Sequence, residues 1–340
     1  MKILHCLYSN RLGGLEQAFI NLNDMLFSLG HDVEILVPLD APYLKKLETD
    51  FIINDFNNAG YYNLFSILKY RKLLKKINPD LIISHNSRAT YVLDKSRLGL
   101  NIPLISFLHS NKIHRVRGAD HIVVLTDDMK LNCIENGLDF YSISVLPNVI
   151  KDIPELRSYN PPNTVGTFKI GFIGRLSKEK GLQDLLEAIS LIKDRFSIEL
   201  HIAGSGADKV KIESLARKLE ISERVFFSGW VDDVQDWINS IDLIVVPSRS
   251  ETFGIVVLEA AAYGCPTIAT NVPGPASQIT NEVDGWLTEP CSPSSLADTI
   301  EKALLDVKSW PKIRRSAYAR AHKYLFEYRL SDLSNILDRF

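Results

Sequence analysis

The 340 residues carry 39 lysines and arginines against 41 aspartates and glutamates, a net charge of −2. That excludes a general nucleic-acid binder, which needs a basic excess to displace counterions. A hydrophobic share of 46% with 24% charged residues excludes a disordered or fibrous chain, and the length suits two α/β domains of ordinary size.

Lys2 to Leu7 reads as a first strand, and with Met1 it has too short an apolar core and no small-residue cleavage site for a signal peptide. A loop from Tyr8 to Gly14 leads into an amphipathic helix from Leu15 that Gly30 closes. The pair Gly13-Gly14 at a helix start permits close backbone approach, and the first-turn N–H groups attract an anion such as phosphate. A tight turn with no ligand explains the pair equally well. The G-x-G-x-x-G spacing of a dinucleotide site is absent.

Strands at Asp32 to Val37, Phe51 to Asn54, Leu81 to Ser84 and Leu104 to Leu108 alternate with helical patterns at Leu64 to Ile77 and Ala89 to Leu98. Such alternation means βαβ units and a parallel sheet. The helix spanning Lys69 to Lys76 sets Lys69, Arg71, Lys72, Lys75 and Lys76 opposite Ile67, Leu74 and Ile77. A basic amphipathic helix can rest on anionic lipid, although a solvated face is the commoner meaning. His109 follows its strand directly, where it could donate to a substrate hydroxyl or move a proton, or have no task. A strand at His121 to Leu125, a helix at Asp127 to Asn136 and a strand at Ile143 to Leu146 complete this half.

Pro147, Pro154, Pro161, Pro162 and Gly166 mark a linker. The second half restarts with a strand at Phe168 to Ile173, a loop from Gly174 to Gly181, and a helix at Leu182 to Ile192. Arg175, Lys178 and Lys180 put three cations on that glycine-bounded loop, as an oxyanion clamp would, or as a solvated loop would. Strands at Ile198 to Ala203 and Val225 to Ser228 end in Gly204-Ser205-Gly206 and Gly229-Trp230-Val231, each a weak signal alone. A helix at Val234 to Asn239 precedes the apolar run Leu243 to Val246, which reads as a strand buried on both faces.

Pro247 ends that strand, Ser248 to Thr252 supply loop chemistry, and a buried helix follows from Gly254. Glu251 and Glu259 thus flank a strand–loop–helix join, beyond the carboxyl end of a strand, where open α/β sheets bind ligands. For an isolated pair, a helix cap and a structural ion pair would suffice. A strand at Pro266 to Ala269, turns at Gly274-Pro275 and Gly285-Trp286-Leu287, a helix from about Pro293 to Leu305 and a helical tail from Lys312 to Leu337 follow. No apolar run approaches the roughly eighteen residues of a membrane span. Cys6, Cys133, Cys265 and Cys291 are scattered without a C-x-x-C pair, so reduced thiols in a cytosol are expected.

Taken in order, Gly13-Gly14-Leu15-Glu16, His109, the Gly174 to Gly181 loop, and Glu251 and Glu259 spaced as E-x7-E resemble the retaining glycosyltransferases of GT-B fold, family 4 (group 1), over nearly the whole chain. The resemblance implies an α/β architecture of two Rossmann-like domains with parallel sheets facing a central cleft. It implies an acceptor-side domain over 1–160, a nucleotide-sugar domain over 165–315 and a tail over 316–340 packing back on the first domain. Arg175 and Lys180 would hold the donor diphosphate with the backbone of Gly13 and Gly14. Glu259 would bind the ribose, Glu251 with the backbone of Phe253 and Gly254 the sugar, and His109 a sugar hydroxyl.

The implied reaction moves a sugar from a nucleoside diphosphate to a glycan or lipid-linked acceptor in cell-envelope polysaccharide or lipopolysaccharide synthesis. Fixed cations and helix-end N–H groups would stabilise the charge that grows on the leaving group, beside an oxocarbenium-like sugar. A cytoplasmic enzyme is expected from the absent signal peptide and scattered cysteines, with peripheral membrane contact through the Lys69 to Lys76 helix as the minority reading of that basic face. No two aspartates are separated by one residue, so the D-x-D metal signature is missing and neither metal nor other cofactor is expected. There are three departures, Ser277-Gln278 where the family carries a glutamate, a short His109 to His121 segment, and Val149 in place of glycine, of which the first two bear on acceptor and sugar identity. A catalytically silent nucleotide-sugar-binding scaffold and an epimerase or phosphorylase of the same plan are the alternatives.

Overall fold

In both halves the central strands are buried along their length, as parallel sheets packed by helices on both faces require. The computed structural model describes residues 1–47, 51–57, 63–157, 162 and 166–340. They divide into two compact units, Met1–Lys151 with Phe326–Phe340, and Asp152–Leu325. The linker residue Pro161 lies outside the described residues.

The first unit is built on β1 (Lys2–Leu7), β2 (Asp32–Val37), β3 (Ile52–Asp55), β4 (Leu81–His85), β5 (Leu104–Leu108), β6 (His121–Val124) and β7 (Ile143–Val145), with helices α1 (Gly14–Ser28), α2 (Leu64–Ile77), α3 (Ser87–Ser96) and α4 (Asp127–Glu135). All pairs are parallel in the order β3-β2-β1-β4-β5-β6-β7. The order reverses between β1 and β4, and the loops after those strands are where such a sheet offers a ligand crevice. Phe19, Leu22 and Met25 of α1 pack on one face with Ile3, Ile83 and Phe107, while Tyr70 and Leu74 of α2 and Val92 of α3 pack on the other.

Helix α3 starts two residues before its apolar pattern suggests. The Asn86 side chain accepts from the N–H groups of Arg88 and Ala89 and fixes the first turn. At α2 the cap is Asn63, which accepts from the Ser66 N–H, and Asn78 closes the helix in a left-handed conformation.

The second unit has β8 (Phe168–Ile173), β9 (Ile198–Ala203), β10 (Val225–Gly229), β11 (Leu243–Val246), β12 (Thr267–Thr270) and β13 (Trp286–Thr288), parallel in the order β10-β9-β8-β11-β12-β13. Around it lie α5 (Leu182–Ile192), α6 (Lys209–Lys218), α7 (Val234–Asn239), α8 (Ile255–Ala262), α9 (Pro273–Ala276), α10 (Pro293–Leu305) and α11 (Trp310–Ala321). Trp310 is fully buried between Phe168 and Trp286, with its indole N–H donating to the Ala303 carbonyl at 2.9 Å.

The tail, read as one helical stretch, is two helices. A 3-10 turn at His322–Tyr324 and an extended Leu325 separate α11 from α12 (Phe326–Leu337). Residues 316–325 group with the second unit, and Phe326 onward with the first. There the Phe326 N–H donates to the Ile150 carbonyl at 2.9 Å, and Leu333, Ile336 and Leu337 enter the core beside α1. Burying three aliphatic side chains stabilises this return by roughly 1.5–3 kcal/mol each before ordering costs. No helix among the described residues is long and apolar enough to cross a membrane.

Candidate functional site

In the second unit the loop after β8 and the loop after β11 are locked together. Gly181, at φ +66°, presses so close to the end of β11 that a Cβ there would lie 1.9 Å from the Pro247 carbonyl oxygen. The Arg249 N–H donates to the Glu179 carbonyl at 2.8 Å. The Arg249 guanidinium donates to both carboxylate oxygens of Asp184, at 2.9 and 2.6 Å, and Asp184 sits buried in the first turn of α5. Two parallel N–H···O bonds fix orientation as well as distance. The Asp184 hydrogen bond also raises the Arg249 pKa.

This lock brings two expected site residues into contact, with the Lys180 ammonium pairing with a Glu251 carboxylate oxygen. Arg175 stands exposed at the start of the same loop, with no ion pair among the described residues. The Gly204-Ser205-Gly206 turn has a packing reason. Cβ atoms at Gly204 and Gly206 would lie 2.0 Å from the Gly174 oxygen and 2.2 Å from the Leu176 oxygen.

Gly254, at φ +80°, turns the chain into α8. The Phe253 side chain is buried edge-on to Tyr324, so the backbone is what this residue can present to a ligand. Two contacts unforeseen in the sequence hold the turn. The Gly274 N–H donates to the Glu251 carbonyl at 3.0 Å. The Gln278 carboxamide NH2 donates to the Phe253 carbonyl, and to that of Gly254 at 3.4 Å, while Gln278 Oε1 is buried with no partner. Ser277, at the departure from the family pattern, donates to the Gly274 carbonyl at 2.7 Å. Glu259 lies half-buried on α8 between the buried Leu258 and Ala260.

In the first unit Gly13 and Gly14 are exposed at the start of α1. Gly13 has an extended backbone that any residue adopts, and it caps the helix without a side chain. The first-turn N–H groups of α1 therefore lack a side-chain cap, the condition for an anion site.

His109, partly buried beyond β5, pairs with a histidine that the sequence did not single out. His109 Nε2 lies 2.9 Å from His85 Nδ1, the last residue of β4. Burial lowers the His109 pKa to about 4 and that of His85 well below its ordinary value. A cavity of about 20 Å³ adjoins the pair, bordered also by Asn21 and Asn148. Inward-facing histidines in apolar strands were the available signal. Among the described residues no cluster of three His, Cys, Asp or Glu side chains is disposed to hold a metal ion.

On α2, Tyr70, Leu74 and Ile77 face the core, Lys72, Lys75 and Lys76 are exposed, and Lys69 donates to Asn57 at 2.8 Å. Leu64, Phe65 and Leu68 stand exposed at its start, a feature that the charge pattern alone does not announce.

Residues 159–321 match the family model described as Glycosyl transferases group 1, and residues 12–152 match that described as Glycosyltransferase Family 4. The lipopolysaccharide core biosynthesis glycosyltransferase LpsD of Rhizobium meliloti is 25% identical over 89% of this chain and 88% of its own length. The lipopolysaccharide 1,6-galactosyltransferase of Escherichia coli is 28% identical over 64% of each chain. Among solved structures, Anabaena HepE in complex with UDP and glucose has a TM-score of 0.87 at 21% identity, with both chains covered in full, a likeness of fold.

Proposed function

We propose, from the premise that this chain belongs to the group 1 glycosyltransferases of GT-B fold, that it moves a sugar with retention from a nucleoside diphosphate donor to a cell-envelope glycan or lipid-linked acceptor. The observation that carries the reading is the Lys180–Glu251 pair, held by two interlocked loops at the carboxyl ends of β8 and β11, with Arg175 exposed on the first of them. Arg175 and Lys180 take the diphosphate and stabilise charge on the leaving group. The α1 start at Gly13-Gly14 offers uncapped N–H groups suited to an anion. Glu251 and the backbone of Phe253 and Gly254 take the transferred sugar, Glu259 the ribose, and His109 a sugar hydroxyl. The departing phosphate oxygen accepts the acceptor's proton, so no separate base and no divalent metal enter the scheme.

LpsD and the E. coli galactosyltransferase, named for lipopolysaccharide, support an envelope acceptor, and HepE, solved with UDP and glucose, makes UDP-glucose the first donor to try. In α2, exposed Leu64, Phe65 and Leu68 beside Lys72, Lys75 and Lys76 support peripheral contact with an anionic membrane from the cytoplasmic side.

The test is a screen of nucleotide sugars for thermal stabilisation, since a ligand that binds the folded state raises its Tm, followed by turnover with and without EDTA. A stabilising donor turned over at the same rate in EDTA with retained anomeric configuration supports the proposal. Stabilisation without turnover by any acceptor favours a silent scaffold, and a rate lost to EDTA and restored by manganese refutes metal independence.

A further inference from the structure

His109 Nε2 and His85 Nδ1 lie 2.9 Å apart, their rings within 21° of parallel, and His85 in turn lies on Phe107 at 11°. Burial keeps both imidazoles neutral near pH 7. One of the two facing nitrogens therefore carries a hydrogen and the other a lone pair.

The far side of His85 decides which. His85 Nε2 is buried, and no group among the described residues hydrogen-bonds to it. A proton there would be a buried donor with no acceptor, which folding disfavours. A bare lone pair is the easier group to leave unmatched. The proton of His85 accordingly sits on Nδ1.

His5 repeats the arrangement one strand away. Asn23 Nδ2 donates to the Phe19 carbonyl at 3.1 Å, which turns Asn23 Oδ1 toward His5 Nδ1 at 2.8 Å and leaves His5 Nε2 bare in the core.

We propose that His85 is a positioning residue: its Nδ1–H donates to His109 Nε2 and confines His109 to the neutral tautomer protonated on Nδ1. Building on the reading that His109 meets the donor sugar, this makes the ring a hydrogen-bond donor to a hydroxyl oxygen and never an acceptor. Flipping or ionising His109 would break the bond to His85. The sugar hydroxyl must then accept from His109 and pass its own hydrogen elsewhere.

The experiment has two arms on the full chain. Nitrogen-15 NMR of labelled histidines reads the tautomer directly, and His109 is expected with a bare Nε2 and a protonated Nδ1. The opposite tautomer, or a charged ring at pH 7, overturns the proposal. In the kinetic arm, His85→Phe keeps a ring on Phe107 but removes the donor, whereas His85→Asn places an N–H where Nδ1 was.

With a donor identified, kcat of His85→Phe is expected to fall at least about ten-fold with donor KM within about two-fold, and His85→Asn to recover most of it. Equal kcat in the two variants overturns the proposal. His109→Ala separates the underlying reading. Unchanged turnover in that variant removes His109 from the donor site while the NMR still decides the pairing. Loss in His109→Ala with none in His85→Phe removes His85 alone. If His85→Phe fails to fold, the wild-type spectrum carries the decision.

Discussion

At the residue scale, Arg175 and Lys180 sit on one loop but differ in what holds them. Arg175 is exposed and has no ion pair among the described residues, so Arg175→Ala should leave Tm unchanged while turnover falls roughly 100-fold, the usual size for one lost oxyanion contact. Lys180→Ala strips Glu251 of its cation, so a comparable loss of turnover should come with a melting shift worth on the order of 1 kcal/mol. Parallel melts and rates on the two variants separate these outcomes. Gln278→Glu would aim a carboxylate at two carbonyl oxygens, and a destabilisation of about 2–3 kcal/mol by urea titration is expected. The charged loop and the two glutamates were legible because their types and spacing announce them. Gln278 was noticed in the sequence only as a departure from the family pattern, since nothing in a lone glutamine says which carbonyls its amide will reach from another strand's loop.

At the element scale, the interlock of the β8 and β11 loops depends on steric room at Gly181 and on the Arg249–Asp184 fork. Gly181→Ala must both adopt φ +66° and displace the Pro247 carbonyl, so a cost above about 2 kcal/mol is expected. Arg249→Met leaves the buried Asp184 carboxylate uncompensated and should cost about 3–5 kcal/mol, whereas Arg249→Met with Asp184→Asn should recover part of it. Denaturant midpoints of the single and double variants check both. A failure of the double variant to recover would mean that the Arg249 N–H contact with Glu179, not the fork, holds the loop.

Most elements were readable from apolar runs and helical spacing, α2 and β2 to the residue. The misses have local causes. Asn86 starts α3 early because its side chain satisfies two helix-end donors, and the tail breaks at Leu325 because α12 packs with the first unit's core while α11 stays with the second. The Arg249–Asp184 fork spans 65 positions of sequence, a separation at which charge pattern has no voice.

At the scale of the whole molecule, neutral buried histidines make the first unit sensitive to acid. Folding lowers the pKa of His5 from 6.5 to about 3 and that of His109 to about 4, with burial the leading cause in each. His85 moves in the same direction. Because the folded values lie below the unfolded one, this stability is fully present above pH 6.5 and is lost as pH falls from there toward 4 and then 3. A melting series from pH 7.5 to 4.5 should therefore show amide exchange rising first in β1, β4 and β5. His5→Gln should flatten the trend if the fold tolerates it, and an equal rise in both units would contradict the assignment.

The Lys180–Glu251 contact bears on turnover. A cation already neutralised by its neighbour offers a stray inorganic anion little, since capturing that anion would strand the carboxylate. On the proposed reading, an intact donor would compensate both partners at once, phosphate for the ammonium and hydroxyls for the carboxylate. Once the sugar had gone, the spent nucleotide would satisfy only half of the pair, and the ammonium would be drawn back to Glu251. Such competition would hasten ejection of the by-product and leave the pocket reset for the next cycle.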